Sequence, residues 1–374
     1  MKQRKYGVFV LSLFFVTALS CKAAHKTANL SEIVTNEAKN FLSDERFSSV
    51  SITVFNNGES FIGHFGELDD KKDNAPDNKT LYEIASVTKT MTGYLAACAV
   101  YEGMINLDSP VSDILGQEYK NLYFEGEPVR IWHLLTHTSG LPLNISKVSE
   151  LYEQPSINSY QQAQKILTSY TQQNLLAELK SHRLTEPPGK SYSYSNVAPN
   201  LIAYILETVY GKKFDVLLRE KLFLPAKMTN THVNLDAHNQ LLLANGYNHK
   251  NERMPSFKQA INLWGAAGRV KSSASDLLHY IKWQLDEDNP IVRLSHQKLF
   301  YDVGNIWIGY YWEVIKNKSG EHIEHHGGLY GIQNWLILYP EEKLGISIIS
   351  NSSFPEANDL LKKAANRILE QLLQ

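Results

Sequence analysis

Apolar residues recur at helical spacing along parts of this chain and alternate with polar ones along others. Residues 30–41 repeat apolar positions every three to four residues, which predicts a helix. Residues 51–55 and 59–65 flank Asn56-Asn57-Gly58, a strong β-hairpin pattern. Residues 69–79 are polar and turn-rich, so a surface loop is expected there. Val87, Met91, Tyr94, Leu95 and Cys98 then recur at i, i+4, i+7, i+8 and i+11, predicting a buried helix. Gly103 is expected to stop it, and Asp108 to cap the next helix, with Pro110 in its first turn. A short helix is predicted over 131–137, ended by Ser139-Gly140, and a polar, exposed helical cover over 157–183. Further helices are predicted over 199–210, 214–223 and 275–285.

The pattern then changes. Residues 306–315, 321–326, 333–338 and 344–349 predict strands separated by turns, and 358–373 returns to helical spacing. The early hairpin has few strand neighbours of its own in sequence. It is therefore expected to join these late strands. The predicted fold is α/β: an antiparallel sheet of N- and C-terminal strands flanked by helices, with a largely helical inserted domain. In numbers, 29–85 and 265–374 form the sheet domain and 86–264 the helical one, together one catalytic unit.

The first residues have a different character. Lys2, Arg4 and Lys5 precede an apolar run over 7–19 and then Ser20-Cys21, the layout of a signal peptide over 1–20. That run is short for a membrane-spanning helix. Ala18-Leu19-Ser20-Cys21 resembles the lipobox of bacterial lipoproteins, although Ala18 stands where that motif prefers leucine. The resemblance implies a lipid on Cys21, a tether over 21–28 and a membrane-anchored protein facing the periplasm or cell exterior. Cleavage near Ala23-Ala24, releasing a soluble protein, is the alternative. Cys98 is the one other cysteine and, among Leu95, Ala96, Ala97 and Ala99, is expected to be a small buried residue.

Composition narrows function only by exclusion. The 374 residues are 43% hydrophobic and 20% charged, an ordinary globular balance. A net charge of −2 gives no reason to expect nucleic acid as a partner. No motif calls for a cofactor.

Candidate chemistry begins at the buried helix. Ser86 and Lys89 are three residues apart, about 300° of helical turn, so hydroxyl and ammonium share one face. Ser86 would stand at a helix N-terminus, where free N–H groups favour developing negative charge. A lysine desolvated beside a serine can become the base that activates it. The pattern is short, however, and Ser295–Lys298 repeats it without a long apolar helix behind. Tyr194-Ser195-Asn196 lies in a loop before a helix. A tyrosine there can shuttle a proton to a leaving group, and an asparagine can orient a substrate amide or the lysine. Tyr119 to Asn121 has the same Y-x-N form. His325-His326-Gly327-Gly328 ends a predicted strand, where glycines let backbone approach a substrate closely.

Metal ligation has weaker support. His133 and His137 are spaced i, i+4 without the acidic partner of H-E-x-x-H. His322, Glu324 and His326 share a strand face by alternation but lack an obvious fourth ligand.

S-x-x-K, then Y-x-N, then H-G-G, in that order, resembles the serine β-lactamase and penicillin-binding-protein superfamily. The likeness is greatest to the class C β-lactamase-related branch, which includes D-amino-acid peptidases and esterases. EIASVTKTMTG, EGMINLDSPV, RIWHLLTHTSGLP, PPGKSYSYSN and AAGRVKSSASDL all resemble family segments in the family order. The resemblance implies an acyl-enzyme on Ser86, with Lys89 and Tyr194 as acid and base and Asn196 contacting substrate. It implies an oxyanion hole from the backbone of Ser86 and a residue just after Gly328, namely Leu329. One departure stands out: the third motif is K-T-G in true β-lactamases and His326-Gly327-Gly328 here. His326 is expected in the place of that lysine, which would favour uncharged esters or amides over carboxylate-bearing β-lactams.

The first expectation is an exported serine hydrolase acting on short esters, D-amino-acid peptides or β-lactams. A metallohydrolase using His322, His325 or His326 competes with it. So do a true class C-like β-lactamase and a penicillin-recognising sensor that acylates with little turnover. An α/β-hydrolase is disfavoured, since no G-x-S-x-G elbow occurs.

Overall fold

Twelve α-helices and twelve strands are seen in a computed structural model, which describes residues 29–153, 156–258, 263, 265–302 and 304–374. The expected signal peptide, Cys21 and the tether lie outside the described residues. In chain order, α1 (Leu30–Phe41) precedes a hairpin of β1 (Ser49–Asn56) and β2 (Glu59–Gly66). Next come β3 (Leu81–Glu83), a 3-10 turn (Ala85–Val87), α2 (Thr88–Tyr101), α3 (Ser112–Leu115), β4 (Tyr123–Phe124) and β5 (Glu127–Pro128). Helices α4 (Ile131–Leu135), α5 (Ser146–Tyr152), α6 (Ile157–Ser169), α7 (Gln172–Ser181), α8 (Val197–Tyr210) and α9 (Phe214–Leu218) follow. The chain continues through β6 (Lys271–Ser273), α10 (Ala274–Gln284), α11 (Pro290–Ser295), β7 (Phe300–Asp302), β8 (Ile306–Gly309) and β9 (Trp312–Asn317). It closes with β10 (Gly320–Leu329), β11 (Ile332–Tyr339), β12 (Leu344–Ser350) and α12 (Ala357–Leu372).

The large sheet has the order β2-β1-β12-β11-β10-β9-β8-β7, every pair antiparallel. The early hairpin does join the late strands, with Val50 opposite Ser350. Alternation along β1 explains the layers. Val50, Ile52 and Val54 pack with Ile337, Ile346 and Ile348 under α1 and α12. On the other face, Ser51 meets Tyr82 (2.9 Å), and Thr53 donates to the Ala274 carbonyl (3.1 Å) where α10 begins.

Several expectations need correction. Residues 306–315 form two strands, because Tyr310 and Tyr311 both take left-handed conformations (φ 50° and 72°) and turn the chain inward. Asp108 caps nothing: α3 starts at Ser112, and the Asp108 carbonyl accepts from the Arg130 guanidinium (2.5 Å). The cover over 157–183 is two helices broken at Tyr170-Thr171, and it buries Ala163, Leu175 and Leu179 against the core. The small β3-β6 pair has no counterpart in the sequence reading. Helix α2 is buried, as expected, and on all sides from Thr88 to Ala99, as a helix passing through the middle of a core must be. Cys98 is buried within it, and desolvation pushes its thiol up to about 12.

Candidate active site

Strand β3 delivers the chain to a tight corner. Ile84 donates its N–H to the Val270 carbonyl (3.1 Å), and its own carbonyl accepts from Asn334 Nδ2 (2.9 Å). Ala85 then takes a left-handed conformation, φ 46°, which is costly for a residue with a Cβ. The corner sets Ser86 in the 3-10 turn that opens α2 and turns it into a cleft of about 200 Å³. Lys89, one turn on, is wholly buried.

The Lys89 ammonium donates to three acceptors: Ser86 Oγ at 3.1 Å, Asn196 Oδ1 at 2.8 Å and the Ala267 carbonyl at 2.5 Å. Desolvation, helped by the Arg269 charge, holds its pKa well below the ordinary 10.5. The three partners are chemically unequal. A carbonyl oxygen and an amide oxygen accept only, so on loss of a proton they retain the two remaining N–H groups. The lone pair then faces Ser86 Oγ, the one partner with a proton to give. Asn196 keeps this orientation because its Nδ2 donates to Asn144 Oδ1 (2.9 Å).

Tyr194 reaches the same serine from the helical side, its hydroxyl donating to Ser86 Oγ at 2.8 Å. Burial raises the phenol's pKa above its usual value, so it stays protonated while Lys89 loses its proton. The loop carrying it is pinned on both sides of the tyrosine. Ser193 N–H donates to the His137 carbonyl (2.7 Å), Ser195 N–H to His137 Nδ1 (3.2 Å) and Asn196 N–H to the Leu143 carbonyl (2.8 Å). Ser195 Oγ caps α8 by accepting from Val197 and Ala198 N–H. His137 is thus a loop anchor, stacked obliquely on Tyr194 at 4.4 Å and kept neutral by burial. His133 is similarly occupied, its Nδ1 accepting from Arg130 N–H (2.8 Å).

The repeated motifs are structural. Ser295 Oγ donates to the Val292 carbonyl (2.7 Å) while Lys298 pairs with Glu321 (2.6 Å). Tyr119 and Asn121 both donate to backbone carbonyls of α7 or its end.

The third segment requires a correction. Directly opposed residues on neighbouring strands share a sheet face, and His326 lies opposite Trp335, Gly327 opposite Asn334. Trp335 belongs to the core under α12, whereas Asn334 holds the Ser86 corner. His326 therefore faces α12: its ring lies 5.0 Å from Trp335, and Nε2 meets Gln333 Oε1 at 2.6 Å. It does not take the place expected for a substrate-facing ammonium. His325, on the other face, is the histidine that feels the Lys89 charge, and burial lowers its pKa to about 3. His322 and Glu324 do share the His326 face, 3.4 Å apart, with Glu324 also bound by Lys362 (2.5 Å). Gly328 and Leu329 line the cleft beside Ser86.

Beyond Ser86 the cleft is walled by Ile145, Val148, Leu167, Leu175, Val197 and Leu263, with amides from Asn144, Asn196 and Asn200. Sequence reasoning overlooked Asn144, Ala267, Arg269 and Asn334. The first three lie in or beside segments that carried the family resemblance, but nothing in their spacing assigns them a task. The arrangement supplies a nucleophile, a base, a second proton carrier and a partly apolar acyl-sized cavity, the equipment for acyl transfer.

Comparison with known proteins bears on family and fold. A family model described as Beta-lactamase matches residues 34–371. Protein flp of Staphylococcus aureus (strain NCTC 8325 / PS 47) is 26% identical over 309 residues, covering 80% of this chain and 59% of that protein. This chain therefore spans less than two thirds of that relative's length. A beta-lactamase of Yersinia enterocolitica is 24% identical over 384 residues, 91% of each chain. Among solved structures, a beta-lactamase/D-alanine carboxypeptidase from Yersinia pestis complexed with citrate superposes with a TM-score of 0.80 at 23% identity, covering 92% of this chain and 99% of that one. A class C beta-lactamase gives 0.77 at 20% identity, covering 93% and 98%. These likenesses establish the fold.

Proposed function

We propose, from the premise that this chain belongs to the beta-lactamase family of serine hydrolases, that it cleaves an ester or amide through an acyl-enzyme on Ser86. One observation carries the reading: Ser86 Oγ is bonded at once by Lys89 Nζ (3.1 Å) and the Tyr194 hydroxyl (2.8 Å). In this reading neutral Lys89 takes the Ser86 proton as Oγ attacks the carbonyl carbon. Backbone N–H groups of Ser86 and Leu329 receive the oxyanion. Tyr194 gives its phenolic proton to the leaving atom and regains one from the Lys89 ammonium by way of the Ser86 Oγ position that both groups meet. Water then cleaves the acyl ester by the same steps reversed.

Short esters, D-amino-acid peptides and β-lactams are the substrate classes the resemblance suggests. The names of the relatives favour the last two. The reading includes export, with a signal peptide over 1–20 and a lipid on Cys21 that holds the enzyme on a membrane surface. The test of the chemistry is direct. A fluorophosphonate or a labelled penicillin should mark Ser86, located by mass spectrometry, and Ser86→Ala should lose both label and hydrolysis. A label on Ser139, Ser195 or Ser295, or full activity in Ser86→Ala, would overturn it.

A further inference from the structure

One feature of the cleft is not needed for acyl transfer in general. Among the described residues that line it, Arg269 is the only charged one. Its side chain makes no hydrogen bond and no ion pair with any described residue, and Nη1 is buried without a partner. One face of the guanidinium lies on the Phe257 ring, 3.2 Å from its centroid, so the group is held flat with its N–H edge unused. A guanidinium nitrogen that has left water without gaining a partner, as Nη1 has, is expensive.

The nearest opposite charge does not account for it. Glu83 is buried, accepts the Phe257 N–H (3.0 Å) through Oε1 and forms no ion pair within 4 Å with any described residue. The charge it feels most is that of Lys271, whose Nζ donates to the Val233 carbonyl (2.9 Å). Lys271, Arg269 and Lys258 all act on this one carboxylate, and of the three Arg269 is the cation on the cleft side. The rest of that lining is apolar, amide or hydroxyl, with no other charged side chain among the described residues. A neutral acyl group would satisfy the apolar wall and leave the guanidinium bare. A planar carboxylate matches its fork with two parallel hydrogen bonds.

We propose that Arg269 is a substrate-binding residue and that the cleft takes an acyl group bearing a carboxylate, of the dicarboxylic or ω-carboxylated amino-acid type. The proposal rests on the acyl-enzyme reading above and names its substrate class. The carboxylate belongs to the acyl part because Tyr194, which serves the leaving group, lies outside the cleft lining that contains Arg269. It also reverses the expectation drawn from the third motif: the site holds a fixed cation after all, contributed from the segment before β6 and not from β10.

The experiment uses mono-p-nitrophenyl esters of succinate, glutarate and adipate, each paired with its neutral ω-methyl ester. In the wild-type protein kcat/KM should favour the free acid by ~10-fold or more at one chain length, the size expected of a charge-assisted pair. In Arg269→Gln the ratio of acid to methyl ester should collapse towards one. A wild-type ratio near or below one at every length overturns the proposal even where the variant does not fold. An unchanged ratio in a folded Arg269→Gln protein does so too. If neither ester type turns over and Ser86 takes no fluorophosphonate, the acyl-enzyme reading itself has failed and this proposal falls with it.

Discussion

At the scale of single residues, the base is defined by what its neighbours cannot do. Asn196 Oδ1 and the Ala267 carbonyl hold two protons on Lys89 without being able to supply one, so the lysine's exchangeable proton is the one shared with Ser86. The active form is the neutral amine, so kcat/KM should rise with pH through the Lys89 pKa, well below 10.5. The phenol's pKa is raised, so no Tyr194-linked fall should appear below pH ~10. Asn196→Asp puts a carboxylate 2.8 Å from the ammonium, favours the charged form and should move the rising limb to higher pH. A limb that stays put in this variant would assign it to another group. Ser86, Lys89, Tyr194 and Asn196 were all legible, because short motifs on one helix turn or one loop keep their spacing in the fold. The His326 assignment was not, since a one-residue shift along a strand exchanges the two faces and sequence does not state which face meets the site. Arg269 was not legible either. A cleft-lining charge without a partner is a property of its surroundings.

At the scale of elements, the site is a junction between a strand and a corner. Strand β10 passes so close to the Ser86 turn that a Cβ on Gly327 would lie 2.4 Å from the Ile84 carbonyl oxygen and 2.5 Å from Asn334 Nδ2. Neither can yield without releasing the hydrogen bond that holds the corner. Gly327→Ala is therefore expected to push β10 off the turn. Displacement by ~1 Å typically costs ~10²-fold in rate, while overpacking of this kind costs ~1–3 kcal/mol of stability. Steady-state kinetics beside a urea melt will separate the two, and a variant with wild-type kcat/KM would show that the strand has room. Long amphipathic helices such as α1 and α12 were readable almost to the residue, because one face meets a core and the other water. Strands β3 and β6, three residues each, carry too few alternations to declare themselves. The break between β8 and β9 was hidden because Tyr310 and Tyr311 are strand-forming residues held in left-handed conformations by tertiary packing.

At the scale of the whole molecule, the described fold starts at Asn29 and α1, with the predicted lipid site eight residues earlier in the sequence. If Cys21 carries the anchor, globomycin or Cys21→Ser should alter processing and move the protein out of the membrane fraction. An unmodified N-terminus at or beyond Lys22 in intact cells would refute the anchor. The overall architecture was foreseeable from one imbalance, a hairpin without local partners and a run of strands at the far end. That same pairing has a temporal side. Val50 meets Ser350, so β1 must wait for a partner synthesised 300 residues later. At translation speeds of ~5–20 residues per second the wait is about 15–60 s. Throughout it, the strand destined for the sheet interior has only β2 beside it and one open edge. Biosynthesis thus closes the β1 side of the sheet only once β12 has been made.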